Sequence, residues 1–196
     1  MLVQGNRVVL HNHEKRTMQR NIECKIPCSD TSEVERRACD LGASFQWRRC
    51  QRDTYFPVPS GRLKLREVEG KWGEVIFYRR ADTSGARESL YRITPEPDPE
   101  GMRALLASAL GVIVTVTKTR TLYLLGSTRL HIDEVEELGS FVEIEDVVSG
   151  NAEEDDSNRR VEELAGRLGL DVSHSVPVSY ADLLLEKRGK PVSGNR

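Results

Sequence analysis

An alternation of polar and apolar residues near the start of the chain places the strongest constraint on its fold. From Asn21 to Ile26, polar residues occupy the odd positions and apolar residues the even ones. A period of two is typical of a β-strand whose two faces meet different environments. A single strand of this kind is commonly an edge strand with one face in water. The alternative is a polar face that lines a charged cavity, and the later strands bear on that choice.

The same alternation recurs along the chain, and the polar faces carry charges of both signs. Residues 62–66 (RLKLR) place three bases on one face and two leucines on the other, while residues 141–147 (FVEIEDV) alternate with acids. The bases on such faces are Lys25, Arg62, Lys64, Arg66, Arg80, Lys118, Arg120 and Arg129, and the acids are Glu23, Asp133, Glu143 and Glu145. If every charged face were solvated, the opposite faces would form an ordinary sandwich core. A closed sheet can instead pack its aliphatic side against helices and hold paired or ligand-bound charges inside.

Length and charge exclude several classes of protein. The 196 residues suit one domain with a substantial core. The 29 basic residues are offset by 31 acidic ones, which does not indicate a nucleic-acid partner. The sequence contains no apolar run long enough to span a membrane and no apolar signal core, and its four cysteines match no paired zinc pattern. These features predict a cytoplasmic protein with free thiols and no membrane partner.

The ends of the chain differ in pattern from its middle. Residues 1–19 lack a clear period and are predicted to be a mobile leader, with the natural start of the domain at Met18. The domain is predicted to span residues 20–188, followed by a frayed tail at 189–196.

Helices are predicted at four places between the strands. A capping box formed by Ser32 and Glu35 predicts a helix that continues to about Leu41. Apolar spacing predicts further helices at 100–110, 160–168 and 180–188, and residues 149–158 are predicted to be an acidic loop.

A charged interior of this composition suits a phosphate chain. Arg and Lys bind phosphate oxygens, Arg in a bidentate manner. Acids opposite these bases imply a bridging cation, since carboxylates repel phosphate. Glu143 and Glu145 lie two residues apart on one strand face and offer hard oxygen ligands for Mg²⁺ or Mn²⁺. A metal ion with cationic side chains is the recurring equipment of phosphoryl and nucleotidyl transfer, although the P-loop motif is absent.

The motifs, taken in order, resemble those of the CYTH, or triphosphate tunnel metalloenzyme, superfamily. Its E-x-E-x-K signature is similar to Asn21-x-Glu23-x-Lys25. The motifs that follow are QRDTYF (51–56), GRLKLR (61–66), YRR (78–80), KTR (118–120), HID (131–133) and FVEIE (141–145). Each motif is unspecific by itself, whereas the ordered series is specific and spans residues 20–185.

This resemblance implies an α+β fold, in which a closed eight-stranded antiparallel β-barrel forms a tunnel flanked by helices. It also implies a triphosphate bound in the tunnel with Mg²⁺ or Mn²⁺. The metal ligands carried over by motif are Glu23, Glu143 and Glu145, with Asp133 a ligand or a close neighbour of one. The phosphate-binding residues are Lys25, Arg62, Lys64, Arg66, Arg80, Lys118 and Arg120. Lys25 and Glu23 are the residues expected to act in catalysis.

Members of the superfamily include class IV adenylyl cyclases, thiamine triphosphatases and inorganic triphosphatases, so the resemblance leaves more than one reaction open. The predicted function is metal-dependent release of phosphate from inorganic, thiamine or nucleoside triphosphate. One alternative is conversion of ATP to cyclic AMP and pyrophosphate. The other is a non-catalytic module that binds polyphosphate or a nucleotide. Asn21, which stands where the signature has its first glutamate, favours this last alternative because it removes one charge from the metal site. The oligomeric state stays open.

Overall fold

Eight strands in the described part of the chain close into an antiparallel barrel. The structure, a computed structural model, describes residues 18–148 and 154–191. The strands are β1 (Gln19–Pro27), β2 (Ser44–Phe56), β3 (Arg62–Val68), β4 (Trp72–Arg80), β5 (Arg87–Glu96), β6 (Val114–Leu125), β7 (Thr128–Val135) and β8 (Gly139–Val147). Around the barrel their order is β1-β5-β4-β3-β2-β6-β7-β8, and β8 pairs with β1 to close it. The predicted eight-stranded tunnel is confirmed.

Four α-helices accompany these strands in the described residues. They are α1 (Thr31–Asp40), α2 (Pro99–Leu110), α3 (Glu154–Leu168) and α4 (Tyr180–Lys187). None of the described helices is both long enough and apolar enough to cross a membrane.

Two local predictions need correction, and two lie largely outside the described residues. Helix α1 is capped by Asp30, whose carboxylate accepts a hydrogen bond from the backbone N–H of Glu33, so the predicted Ser32 capping box is wrong. Helix α3 begins at Glu154 rather than at residue 160, and the end of the predicted acidic loop is therefore helical. The predicted leader and tail fall mainly on residues 1–17 and 192–196, which lie outside the described part of the chain.

The outward faces of β1, β7 and β8 pack against two helices. Ile22 and Ile144 are fully buried there, and Val34 of α1 and Val161 of α3 belong to the same hydrophobic cluster. Because the side chains of a strand alternate between its faces, this packing sends the polar residues of the same strands into the barrel.

Helix α4 packs against one end of the barrel, where β6 begins and β7 ends. Its Leu184 and Leu185 cluster with Val114 and Val135, and these four side chains are buried. We call this end the closed end. The opposite end, where β2 and β4 begin, is partly exposed and is called the mouth.

We expect Ile144→Ala to lower the free energy of unfolding by about 2–5 kcal/mol, because it leaves a cavity under α1 and α3. Leu105→Ala on α2 is the control, since Leu105 is 62% exposed and surface substitutions change stability by about 0.5 kcal/mol or less. Urea denaturation measures both values. Equal losses in the two variants would contradict the assignment of the outward strand face to the core.

Candidate active site

Alternate residues of all eight strands line a cavity of about 410 Å³ inside the barrel. Eight basic and four acidic side chains face it, so its lining carries an excess of positive charge. The bases are Lys25, Arg49, Lys64, Arg66, Arg80, Lys118, Arg120 and Arg129, and the acids are Glu23, Glu74, Glu143 and Glu145. Twelve charges inside a closed sheet require counter-charges or a ligand, because burying an unpaired charge is costly.

Asp53 is the shared partner of three of these bases. Its carboxylate accepts hydrogen bonds from Lys64 Nζ at 2.8 Å, from Arg66 Nε at 2.9 Å and from Lys118 Nζ at 3.3 Å. Asp53 is only 1% exposed. Burial raises its pKa, but Arg66, Lys118 and Lys64 outweigh that effect and hold the pKa well below its usual value. One buried carboxylate therefore fixes a wall of three cations.

Arg120 lies two residues from Lys118 on the same face of β6 and organises the neighbouring part of the wall, on β7 and β8. It donates two hydrogen bonds of 2.6 Å to Asp133 and a third to Glu143. The hydroxyl of Tyr180 also donates to Asp133, at 2.9 Å. Both oxygens of Asp133 are therefore engaged within the protein, and the structure places this residue beside the ligand group rather than in it. Its role as a metal ligand stays a prediction.

Three side chains on β7 and β8 form a group that could hold a metal ion. His131, Glu143 and Glu145 each offer a ligand atom, and these atoms lie within 4.8 Å of one another. His131 Nδ1 is 3.4 Å from a Glu145 oxygen. Burial raises the pKa of Glu143, but Lys25 and Arg120 outweigh it and keep the carboxylate ionised. The predicted pair Glu143 and Glu145 is thus brought together, with a histidine that the sequence analysis did not include.

Glu23 and Asn21 have other partners in the cavity wall. Glu23 accepts a hydrogen bond from Arg80 at 2.6 Å, although it is the register partner of Glu145. The amide of Asn21 donates to Glu145 at 3.2 Å and accepts from the hydroxyl of Tyr91 at 3.1 Å. The position of the missing glutamate is therefore occupied by an amide that holds Glu145 in place.

Burial lowers the pKa of three lysines in the cavity, Lys25, Lys64 and Lys118, and for Lys25 and Lys64 the lowered pKa lies close to neutral. Burial lowers the pKa of Lys25 to about 8, with Glu143 opposing the shift. Burial and the neighbouring Arg66 lower the pKa of Lys64 to about 7. The Lys25 ammonium also lies 4.0 Å from the centre of the Tyr180 ring. Lys25 and Lys64 therefore change charge close to neutral pH.

Arg62 is the predicted phosphate-binding residue that the structure does not bring to the cavity. Its guanidinium contacts Asp82 at 2.8 Å and Asp182 of α4 at 3.1 Å, at the closed end. Strand alternation places Arg62 on the same face as Lys64, but α4 covers this end of the strand and supplies a different partner.

Three residues in the middle of β2 have no role predicted from the sequence. Arg49, Gln51 and Asp53 face the interior, in line with the cavity residue Tyr55. Apolar alternation in this segment is imperfect, and the pairing of β2 with β6 shifts register between Phe45 and Trp47. Because the side chains of a strand alternate, residues two, four and six positions before Tyr55 lie on its face. The sequence alone could therefore have predicted that these three residues face the interior.

We expect Asp53→Asn to lower the free energy of unfolding by about 3–5 kcal/mol, because it leaves three buried cations without their carboxylate. The control is Glu134→Gln, which removes a carboxylate from an ion pair with Arg48 in which both side chains are about half exposed. That change should cost less than about 1 kcal/mol. Chemical denaturation at neutral pH measures both losses. A loss below that of the control would show that Asp53 does not hold the cationic wall.

Comparison with known proteins gives relatives of similar length and fold. A Methanocaldococcus jannaschii protein named putative adenylate cyclase is 25% identical over 171 residues, which cover 83% of this chain and 97% of the relative. A Pyrococcus horikoshii protein of known structure is 26% identical with a TM-score of 0.75, covering 83% of this chain and 98% of that one.

A third comparison shows the fold alone, because the identity is only 15%. The protein is from Hippeastrum, is described as a putative adenylyl cyclase with a dominant triphosphatase activity, and has a TM-score of 0.60. The match covers 90% of this chain and 98% of that one.

The sequence model of the CYTH domain family matches residues 19–180, more than three quarters of the sequence. The chain therefore belongs to the CYTH domain family.

Proposed function

We propose that this protein is a divalent-metal-dependent enzyme that hydrolyses a triphosphate held in the tunnel and releases orthophosphate. The observation that carries the proposal is the position of the His131, Glu143 and Glu145 group in the same cavity as the cationic wall fixed by Asp53. The cationic wall can bind phosphate oxygens directly, whereas the carboxylates can approach a phosphate only through a cation.

The donors of Arg80 support binding of an anion. Arg80 uses Nη1 to reach Glu23, but its Nε and Nη2 are buried and have no hydrogen-bond partner among residues 18–148 and 154–191. Unsatisfied buried donors of a charged group are costly and are uncommon in folded proteins. Two oxygens of one phosphate would satisfy both donors at once, because a guanidinium binds phosphate in a bidentate manner.

The residues present fit a hard divalent cation. Glu143 and Glu145 supply carboxylate oxygens, and Mg²⁺ typically uses one or two carboxylates together with substrate phosphates. Glu23 is proposed as a further ligand, as the family motif implies, through its Oε2 atom, since Arg80 contacts Oε1. When bound, the ion would neutralise phosphate charge and orient the chain. The amide at Asn21 gives the site one carboxylate fewer, which favours a single ion.

In the proposed reaction the oxygen of a water molecule attacks the terminal phosphorus. The bond from this phosphorus to the bridging oxygen breaks, and the proton released by the water passes to solvent. Lys64, Arg66 and Lys118 hold the phosphate chain, with Arg80 and Arg120 contributing further guanidinium donors. The ammonium of Lys25 neutralises charge that develops on the terminal oxygens, while Glu23 orients Arg80. Such fixed charges are a large source of rate acceleration.

The cyclase reaction is the second candidate, and the name of the Methanocaldococcus jannaschii relative favours it. There the 3′-hydroxyl of ATP attacks the α-phosphorus and pyrophosphate leaves. Both reactions use the same cations, so the products distinguish them: orthophosphate supports hydrolysis, and pyrophosphate with a cyclic nucleotide supports the cyclase. Binding without turnover would support a non-catalytic module.

We expect the double variant Glu143→Gln, Glu145→Gln to lose at least about 100-fold of metal-dependent turnover, because ligand-shell changes typically cost 10–100-fold each. Its affinity for inorganic triphosphate in EDTA should be kept or increased, since two repulsive charges are removed. Orthophosphate release and calorimetric titration measure the two properties. Glu134→Gln, on the outward face of β7, is the control and should retain full turnover. Unchanged turnover in the double variant would overturn the metal assignment.

The affinity for inorganic triphosphate in EDTA should fall as the pH rises from about 6 to about 9. The protonated lysines bind the anion, and Lys64 and Lys25, with pKa values of about 7 and about 8, lose their charge in this range. In Lys64→Arg the guanidinium stays charged, so the loss should be smaller. The ratio of the wild-type and variant affinities removes the titration of triphosphate itself. A ratio independent of pH would contradict the assignment of Lys64.

A further inference from the structure

Two tryptophans face the mouth of the tunnel, beyond the phosphate-binding charges. Trp47 on β2 and Trp72 on β4 both line the cavity, and they are the only tryptophans in the chain. Trp72 is 39% exposed, and Ile93, which also lines the cavity, is 37% exposed. Large apolar side chains grouped at the entrance of a charged cavity are suited to contact a ligand.

A planar cation already lies against these rings. The guanidinium of Arg49 is 4.9 Å from the Trp47 ring and 5.9 Å from the Trp72 ring. Guanidinium groups and aromatic bases use the same flat faces of an indole. Both indoles therefore turn a face toward the Arg49 guanidinium, and a planar ligand that displaces this guanidinium could stack there.

The position of the rings suits a group attached to a bound triphosphate. Trp47 lies four residues beyond Gln51, the register partner of Lys118, on the same face of β2. Four residues of strand span about 13 Å. An organic group on a phosphate chain held by Lys118 would therefore extend toward Trp47 and leave the tunnel beside it.

The charges at the mouth select the kind of ring. Arg49 and Arg129 line this part of the cavity together with Glu74 and Glu145. Arg129 is 3.7 Å from Glu145, whereas the guanidinium of Arg49 lies against the tryptophan rings. The Arg49 guanidinium against the rings disfavours a cationic heterocycle such as the thiazolium of thiamine and does not disfavour a neutral nucleobase. Stacking on tryptophan is available to any nucleobase because every base has a flat face.

We propose that Trp47 and Trp72 form a stacking site for the neutral nucleobase of a nucleoside triphosphate. This inference rests on the proposed function, since it requires the phosphate chain to occupy the tunnel. Inorganic triphosphate fills the phosphate site alone, whereas a nucleoside triphosphate fills both sites. Stacking on the two tryptophans at the mouth would therefore give the protein its preference for a nucleoside triphosphate over inorganic triphosphate.

Tryptophan fluorescence tests the site directly, because the two residues of interest are the only tryptophans in the chain. The full chain is titrated in EDTA with ATP, inorganic triphosphate or thiamine triphosphate, and calorimetry confirms that each ligand binds. ATP should quench the emission, and inorganic triphosphate should bind with little spectral change. Equal spectral responses to ATP and inorganic triphosphate would overturn the stacking site. Stronger quenching by thiamine triphosphate than by ATP would overturn the choice of a neutral base.

Variants give a second readout. In Trp47→Leu and in Trp72→Leu, the ratio of kcat/KM for ATP to kcat/KM for inorganic triphosphate should fall about tenfold or more, as expected for loss of one stacking contact. Phe45→Leu is the control, because this exposed aromatic packs edge-on against Tyr123 and does not line the cavity.

The outcomes separate the two proposals. If the wild type hydrolyses inorganic triphosphate and the tryptophan variants keep the wild-type ratio, the stacking site is wrong and the proposed function stands. If the wild type neither binds nor hydrolyses any triphosphate, the proposed function fails and the stacking site fails with it.

Discussion

Asp53 carries the interaction on which the tunnel depends. One buried carboxylate accepts hydrogen bonds from Lys64, Arg66 and Lys118, which belong to two different strands. Without it, these cations would repel one another in a site largely shielded from water, and a closed barrel could not hold them side by side. The same carboxylate leaves part of their positive charge uncompensated, and this remainder is what can attract a polyanion.

The barrel separates two environments that a flat sheet would leave in contact with water. Ile22 and Ile144 pack outward under α1 and α3, while Glu23, Glu143 and Glu145 face inward on the same strands. Helix α4 contributes to the site as well as to the core, because Tyr180 reaches both Asp133 and Lys25. The same alternation of apolar and charged residues along each strand thus supplies the hydrophobic core on the outward face and the proposed active site on the inward face.

Much of this arrangement could be predicted from sequence, because strand alternation fixes which residues share a face. It correctly grouped Glu143 with Glu145 and Lys64 with Arg66, and the order of the motifs indicated the closed barrel. It could not identify partners that depend on how the barrel closes. Asp53 accepts a hydrogen bond from Lys118, which lies 65 residues away in the sequence. Arg62 donates a hydrogen bond to Asp182 of helix α4 and so does not reach the cavity. Trp47 lies on the interior face of β2 in steps of two from Tyr55, but its place at the mouth depends on how β2 and β4 are arranged in the closed barrel.

Phosphorus NMR of the purified protein with inorganic triphosphate tests whether the tunnel hydrolyses a triphosphate with the help of a divalent metal ion. Parallel samples contain Mg²⁺, Mn²⁺ or EDTA, and spectra are recorded over time. The account predicts that orthophosphate and pyrophosphate appear together with one of the metals and that neither appears in EDTA. Formation of both products at the same rate in EDTA would contradict the metal dependence. If the triphosphate signal stays unchanged in all three samples, ATP is tested in the same way. No product from either compound would contradict catalysis in the tunnel.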